Sequence, residues 1–176
     1  MNENDLRVKK TKLQLQRVLT ALLQHTAFAK ITVKDICDEA LINRTTFYQH
    51  YHDKSDLLYD VFNRLTIDNH SISLHRLMTE PFSMFAAIVK SPLPEIISLQ
   101  NNDSEFHWTY RQYFLNYYME TFARENWRST IPKELVAYTL VNNAFSFLEW
   151  QEDLNVKISE RELNTLFRRM ITLPEI

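Results

Sequence analysis

The chain has no glycine in 176 residues. Loops that cradle phosphate by close backbone approach need glycine, so a P-loop or a Rossmann-type dinucleotide site is excluded. A Gly-x-Ser-x-Gly nucleophile elbow is excluded with them. The same absence weighs against a turn-rich all-β fold. Cysteine occurs once, at Cys37, so no internal disulfide can form and a reducing compartment is expected. Cys37 falls on the apolar face of a helix, the setting of a buried structural thiol. No apolar run is long enough to span a bilayer, and the opening MNENDLRVKK has no apolar signal-peptide core. These absences predict a soluble, cytoplasmic protein. Metal chemistry is poorly served too. His50 and His52 are two apart, His70 and His75 five apart, and there is no His-Glu-x-x-His. No metal, no cofactor and no catalytic residue is expected, because no carboxylate pair or nucleophile stands in a pattern that assigns it acid–base work.

What the chain does have is apolar content for a core, 45% of residues, and a charge asymmetry. Residues 1–52 hold eight Lys/Arg against five Asp/Glu; residues 53–176 hold twelve against seventeen, and the total is −2. A basic first part joined to an acidic remainder fits one end that meets a polyanion and another that does not. Arg7, Lys9, Lys10 and Lys12 read either as a solvated terminus or as a basic arm reaching phosphates, and the second reading is favoured by the motif at Thr32 to Leu58.

Leu15, Val18, Leu19, Leu22 and Leu23 recur at helical spacing and predict a helix from Arg7 or Thr11 to His25. Phe28 and Ile31 then close over the core. The stretch Thr32 to Leu58 predicts two short helices, a tight turn and the start of a third. Thr32 caps the first, to about Ala40, with Val33, Ile36, Cys37 and Ala40 inward. Leu41-Ile42-Asn43 is the turn. Asn43 caps a second helix, Arg44 to about His50, whose Phe47 and Tyr51 face inward. Arg44, Thr45, Thr46, Tyr48 and His50 are left outside. Asp53 caps a longer helix to about Asp68, with Lys54 in its first turn, where a cation opposes the helix dipole and gains from a nearby phosphate. Two helices, a tight turn and a polar second helix make a helix-turn-helix, the arrangement that seats a recognition helix in the DNA major groove.

This stretch resembles the DNA-binding domain of TetR/AcrR-family transcriptional regulators. The family pattern stands here without gaps as Thr32, Ile36-Cys37, Ala40-Leu41-Ile42-Asn43, Thr45-Thr46-Phe47-Tyr48, His50-Tyr51, Lys54 and Leu57-Leu58. Two positions depart from it. Leu41 stands where Gly is usual, in a turn that often needs a positive φ. Thr45 stands where Gly or Ala is common and adds a hydroxyl and a methyl to the face that meets bases. The resemblance implies a DNA-facing set of Thr32, Asn43, Arg44, Thr45, Thr46, Tyr48, His50 and Lys54. In it Arg44 would contact guanine bidentately, Thr45 and Thr46 would touch base edges or methyls, and Thr32, Tyr48, His50 and Lys54 would hold phosphates.

Beyond Asp68, the Ser, His and Asn cluster at 69–79 reads as a boundary. Helices are predicted over 81–91, 93–101 and 103–126, the first two parted by Pro92 and Pro94. Phe106, Tyr110, Tyr113, Phe114 and Tyr117 share helical spacing, with Trp108, Tyr118, Phe122 and Trp127 near them. This run reads as a packed aromatic core or as the wall of a pocket for a small apolar or aromatic ligand, with Trp108, Tyr110, Tyr113, Phe114, Tyr117 and Asn143 as its lining. Pro132 opens a helix to about Glu152, and Ser159 with Glu162 forms a capping box for the last. The order Phe-Leu-Glu-Trp, short linker, Ser-Glu-x-Glu-Leu is similar to the end of TetR-family chains, whose last two helices pair with those of a second subunit.

The expected protein is therefore all-α: a helix-turn-helix domain at 1–52, a connecting helix at 53–68, and a helical ligand-sensing and dimerisation domain at 69–176. The resemblance implies a homodimeric, operator-binding regulator, most often a repressor released by a small ligand, with no membrane partner. A second reading stays open, a coactivator or partner-binding protein of the same fold without operator recognition of its own. Leu41, Thr45 and the small positive charge of 1–52 leave room for it.

Overall fold

The computed structural model of the protein describes residues 6–67, 72–125, 127 and 129–171. The first five residues of the basic arm, residues 69–71 of the expected boundary, the end of the helix predicted to 126, and the last five residues lie outside them. The described residues are all-α, with ten α-helices and no sheet: α1 Leu6–Leu23, α2 Val33–Glu39, α3 Arg44–Tyr48, α4 Lys54–Leu65, α5 Leu74–Thr79, α6 Pro81–Ile88, α7 Leu93–Leu99, α8 Ser104–Arg124, α9 Lys133–Asp153 and α10 Glu160–Met170. None of them is long and apolar enough to cross a membrane. They fall into two compact units, one drawn from Met1–Ile67 and Lys90–Tyr110, the other from Asp68–Val89 and Arg111–Ile176.

The first unit is built on the stripes read from the sequence. Leu15, Leu19 and Leu23 of α1 meet Ile36 of α2, Phe47 of α3 and Leu57, Leu58, Val61 and Phe62 of α4, all fully buried. Each such side chain contributes about 1.5–3 kcal/mol of transfer free energy. Polar ties fix the helices. The Tyr51 hydroxyl donates to Asp60 Oδ2 at 2.9 Å, and Lys12 and Gln16 reach the same oxygen at 3.4 Å. Lys12 thus sits over the Tyr51 ring, on the core side of α1. Leu65 ends α4 because Lys90 takes over its carbonyls. The Lys90 N–H donates to Leu65 O and the ammonium to Thr66 O, where a cation suits the negative helix end.

Lys90–Tyr110 completes this unit through side chains that hydrogen-bond backbone. Gln100 is 2% exposed. Its Oε1 accepts from Phe28 N–H at 2.8 Å, and its Nε2 donates to Leu23 O at 2.8 Å and Thr26 O at 3.0 Å. Asp103, also buried, accepts from Ala29 N–H at 2.7 Å with one oxygen and from Phe106 N–H at 2.9 Å with the other. The connection after α1, a 3-10 turn at Phe28–Lys30, is held by these two residues.

The second unit packs α5, α6, the later part of α8, α9 and α10. Phe85 and Phe114 lie 4.1 Å apart between ring centroids, and Phe82, Phe147 and Phe167 form a second cluster. Phe82 N–H, a first-turn donor of α6, is taken by Asn164 Oδ1 of α10 at 3.1 Å, which satisfies a group the helix itself leaves open. The helix α5 stands within the stretch expected as a boundary. Ser73 caps it by accepting from Arg76 N–H, and Leu74, Leu77 and Met78 bury one face.

Tyr118 is fully buried in this unit, its hydroxyl donating to Leu77 O at 2.9 Å. Burial pushes its phenol well above the ordinary 10, with Tyr117 adding to the shift. Tyr51 is raised by burial and then by the Asp60 carboxylate. The unfolded chain ionises its tyrosines near pH 10 while the folded chain keeps these two neutral. Protons therefore leave the unfolded state first, and stability falls as pH rises through 10. Tyr118→Phe should cost about 1 kcal/mol at neutral pH and flatten the decline above pH 10, read by denaturant melts at pH 7, 10 and 11. An unchanged slope would remove Tyr118 from this role.

Candidate nucleic-acid interface

The geometry of the helix-turn-helix follows from its caps. Thr32 and Asp35 form a capping box at α2: the Asp35 N–H donates to Thr32 Oγ1 at 3.2 Å, and Asp35 Oδ2 accepts the Thr32 N–H and hydroxyl at 2.9 and 2.6 Å. The Thr32 hydroxyl and N–H hold the Asp35 carboxyl below its usual range. The turn passes through Leu41 at φ 52°, the left-handed region, with the side chain 90% exposed. A non-glycine residue there costs about 1 kcal/mol. Leu41 thus takes the positive φ for which Gly is usual at this turn, with the strain confined to one residue. Asn43 Oδ1 then accepts from the N–H and hydroxyl of Thr46 at 2.7 and 2.9 Å and starts α3. Phe47 is wholly buried, flanked by Tyr48 and Tyr51, and anchors the short helix from behind. Asp53 Oδ1 accepts from Ser55 and Asp56 N–H and starts α4.

The eight residues expected to face DNA lie on or beside α2, α3 and the start of α4 in differing conditions. Arg44, Thr45 and Tyr48 are exposed on α3. Asn43 and Thr32 are exposed but engaged in their caps, and the half-buried Thr46 gives its hydroxyl to Asn43. His50 is half-buried, with Nδ1 enclosed and without a partner. Burial, then the Lys12 charge, lowers its pKa, which disfavours the imidazolium in the free chain. Lys54 departs most from the expectation. Its side chain is 17% exposed, and its ammonium lies 2.9 Å from Glu105 Oε2, donates to Phe28 O at 2.8 Å and sits 4.4 Å from the Phe28 ring centroid. Of the basic arm, Arg7, Lys9 and Lys10 are exposed and Lys12 is turned to Asp60. Sequence reasoning did not find Gln100, Asp103 and Glu105, whose partners lie far away in the chain.

The six residues expected around a ligand are divided between the two units. Tyr110 belongs to the first unit, stacked with Phe62 and Phe106. Tyr113 and Phe114 are buried in the second, Tyr117 is half-buried, and Trp108 is 62% exposed. Asn143 lines a groove of about 390 Å3 between α9 and α10, together with Ser146, Phe147, Trp150, Leu166 and Met170. Among the described residues, no three metal-ligating side chains come together; His70 lies outside them.

Residues 18–61 match the family model of bacterial regulatory proteins, tetR family. No curated protein matches the chain. Two solved structures share the fold. A TetR transcriptional regulator from Streptococcus agalactiae is 22% identical, with 96% of this chain and 97% of that one covered and a TM-score of 0.60. The Lin0861 protein from Listeria innocua is 18% identical, with 94% and 91% covered and a TM-score of 0.50.

Proposed function

We propose that this chain, which carries the tetR-family DNA-binding domain in residues 18–61, works as a cytoplasmic, homodimeric repressor that reads an operator with α3 of each subunit. The observation that carries the reading is the outer face of α3. Arg44, Thr45 and Tyr48 stand exposed on a short helix whose other side is anchored by Phe47 and whose start is fixed by Asn43. A guanidinium, a hydroxyl with its methyl, and a phenol suit base edges, a thymine methyl and a phosphate. Domain roles follow in this reading: the helix-turn-helix at 1–52 binds DNA, α4 connects, and the remainder dimerises and senses. Pairing through α9 and α10 is supported by exposed Leu135, Tyr138, Trp150, Leu154 and Met170 on and beside these helices. One short helix reads few base pairs, and a two-fold dimer reads two half-sites about one helical turn apart. Release by a small ligand rests on family likeness, and no catalytic role enters the reading.

Selection of random duplexes by the purified protein at fixed salt should recover a palindromic site. Arg44→Ala should then relax one position of each half-site by about 10- to 100-fold in preference. An unchanged preference profile would take base reading away from Arg44. Recovery of no preferred sequence would favour the coactivator reading, in which the fold recruits a partner without an operator of its own.

A further inference from the structure

We propose that Glu105 competes with DNA phosphate for the Lys54 ammonium and so holds operator affinity below its limit. The inference rests on the DNA-binding reading. Lys54 lies in the first turn of α4, six residues beyond the end of α3, where the helix dipole is already positive and a cation needs an anion. In the free protein that anion is Glu105 Oε2, 2.9 Å away. The carboxylate is 42% exposed and the ammonium 17%, so Glu105 is the more open partner and the one that an incoming anion would displace. The ammonium also donates to the Phe28 carbonyl and lies over the Phe28 ring, two contacts that do not involve the carboxylate. Glu105 stands in the first turn of α8, next to the Asp103 and Gln100 side chains that tie this segment to the Leu23–Ala29 backbone. The competitor is thus fixed in position.

A double-mutant cycle on the selected duplex tests this. Glu105→Gln should tighten binding by up to about five-fold at 0.1 M salt. In a Lys54→Met background, which removes the ammonium, Glu105→Gln should change affinity less than two-fold. Equal tightening in both backgrounds would reduce Glu105 to a distant charge and overturn the proposal, as would unchanged or weaker binding by a Glu105→Gln protein that melts like the parent. Should that variant melt early, Glu105→Ala carries the same comparison. Failure of the parent to select any duplex would sink the DNA-binding reading itself, a different result from a flat cycle on a parent that binds.

Discussion

Gln100→Ala should lower the unfolding free energy by about 3 kcal/mol, although the residue lies outside the helix-turn-helix. The side chain uses both ends of its amide. It accepts from Phe28 N–H and donates to the carbonyls of Leu23 and Thr26. Truncation leaves one donor and two acceptors without their partner in a place where Gln100 itself is almost fully buried. Each buried group so abandoned costs about 1–3 kcal/mol, and entry of water recovers part of the sum. Gln100→Glu should do no better, since a carboxylate can accept from Phe28 but cannot donate to either carbonyl, and it brings a charge into the interior. Asn101→Ala, one residue on and exposed, serves as the control and should stay within about 0.5 kcal/mol. Denaturant unfolding decides. A loss below about 1 kcal/mol for Gln100→Ala would mean that the connection after α1 finds other partners.

Trp150→Glu combined with Met170→Glu should yield a monomer and weaken operator binding at least 100-fold. Trp150 is 39% exposed and Met170 70%, and both line the apolar groove between α9 and α10. Both side chains are exposed in the subunit, so the substitutions should disturb its own fold less than its pairing. In a paired surface they would place four carboxylates per dimer against apolar neighbours, an arrangement that disfavours association strongly. A monomer then binds each half-site alone and loses the local concentration that tethering supplies, worth about 10²–10⁴ in affinity. Sedimentation of parent and variant, followed by titration of the selected duplex, reads both effects. A parent that sediments as a monomer would overturn the dimer, and a dimeric variant would move the interface elsewhere.

The parts of the structure that were legible in the sequence are those decided by neighbours. Thr32, Asn43, Asp53 and Ser159 each cap a helix as read, because the atoms involved lie within three residues of one another. The α1 stripe is buried at Leu15, Leu19 and Leu23 and half-buried at Val18 and Leu22. Legibility fails where the deciding partner is distant or the element is short. The six residues of α5 are too few to show a period, and their Ser73 cap stands among polar residues that resemble a linker. Lys54 reads as a phosphate ligand from its helix position alone, and nothing local announces Glu105, 51 residues on. The aromatic run has one period, yet Tyr110 serves one unit and Tyr113 the other, because α8 contributes to both. The charged and polar residues that make the unit whole leave no pattern, since one buried Gln looks like any exposed one.

The ties from Gln100 and Asp103 to Leu23, Thr26, Phe28 and Ala29 span 72 to 77 residues of chain. During synthesis the three helices of the recognition motif therefore leave the ribosome well before the groups that seal them. Nascent chains ending near Ile67 carry the whole recognisable motif but expose the Leu23 and Thr26 carbonyls and the Phe28 N–H, and they lack the Lys90 that finishes α4. Closing so long a loop costs entropy before any of these bonds forms. The motif legible in the sequence is thus not closed within its own residues, and an excised head ending at Ile67 should be a poor substitute for the full chain in any experiment on DNA.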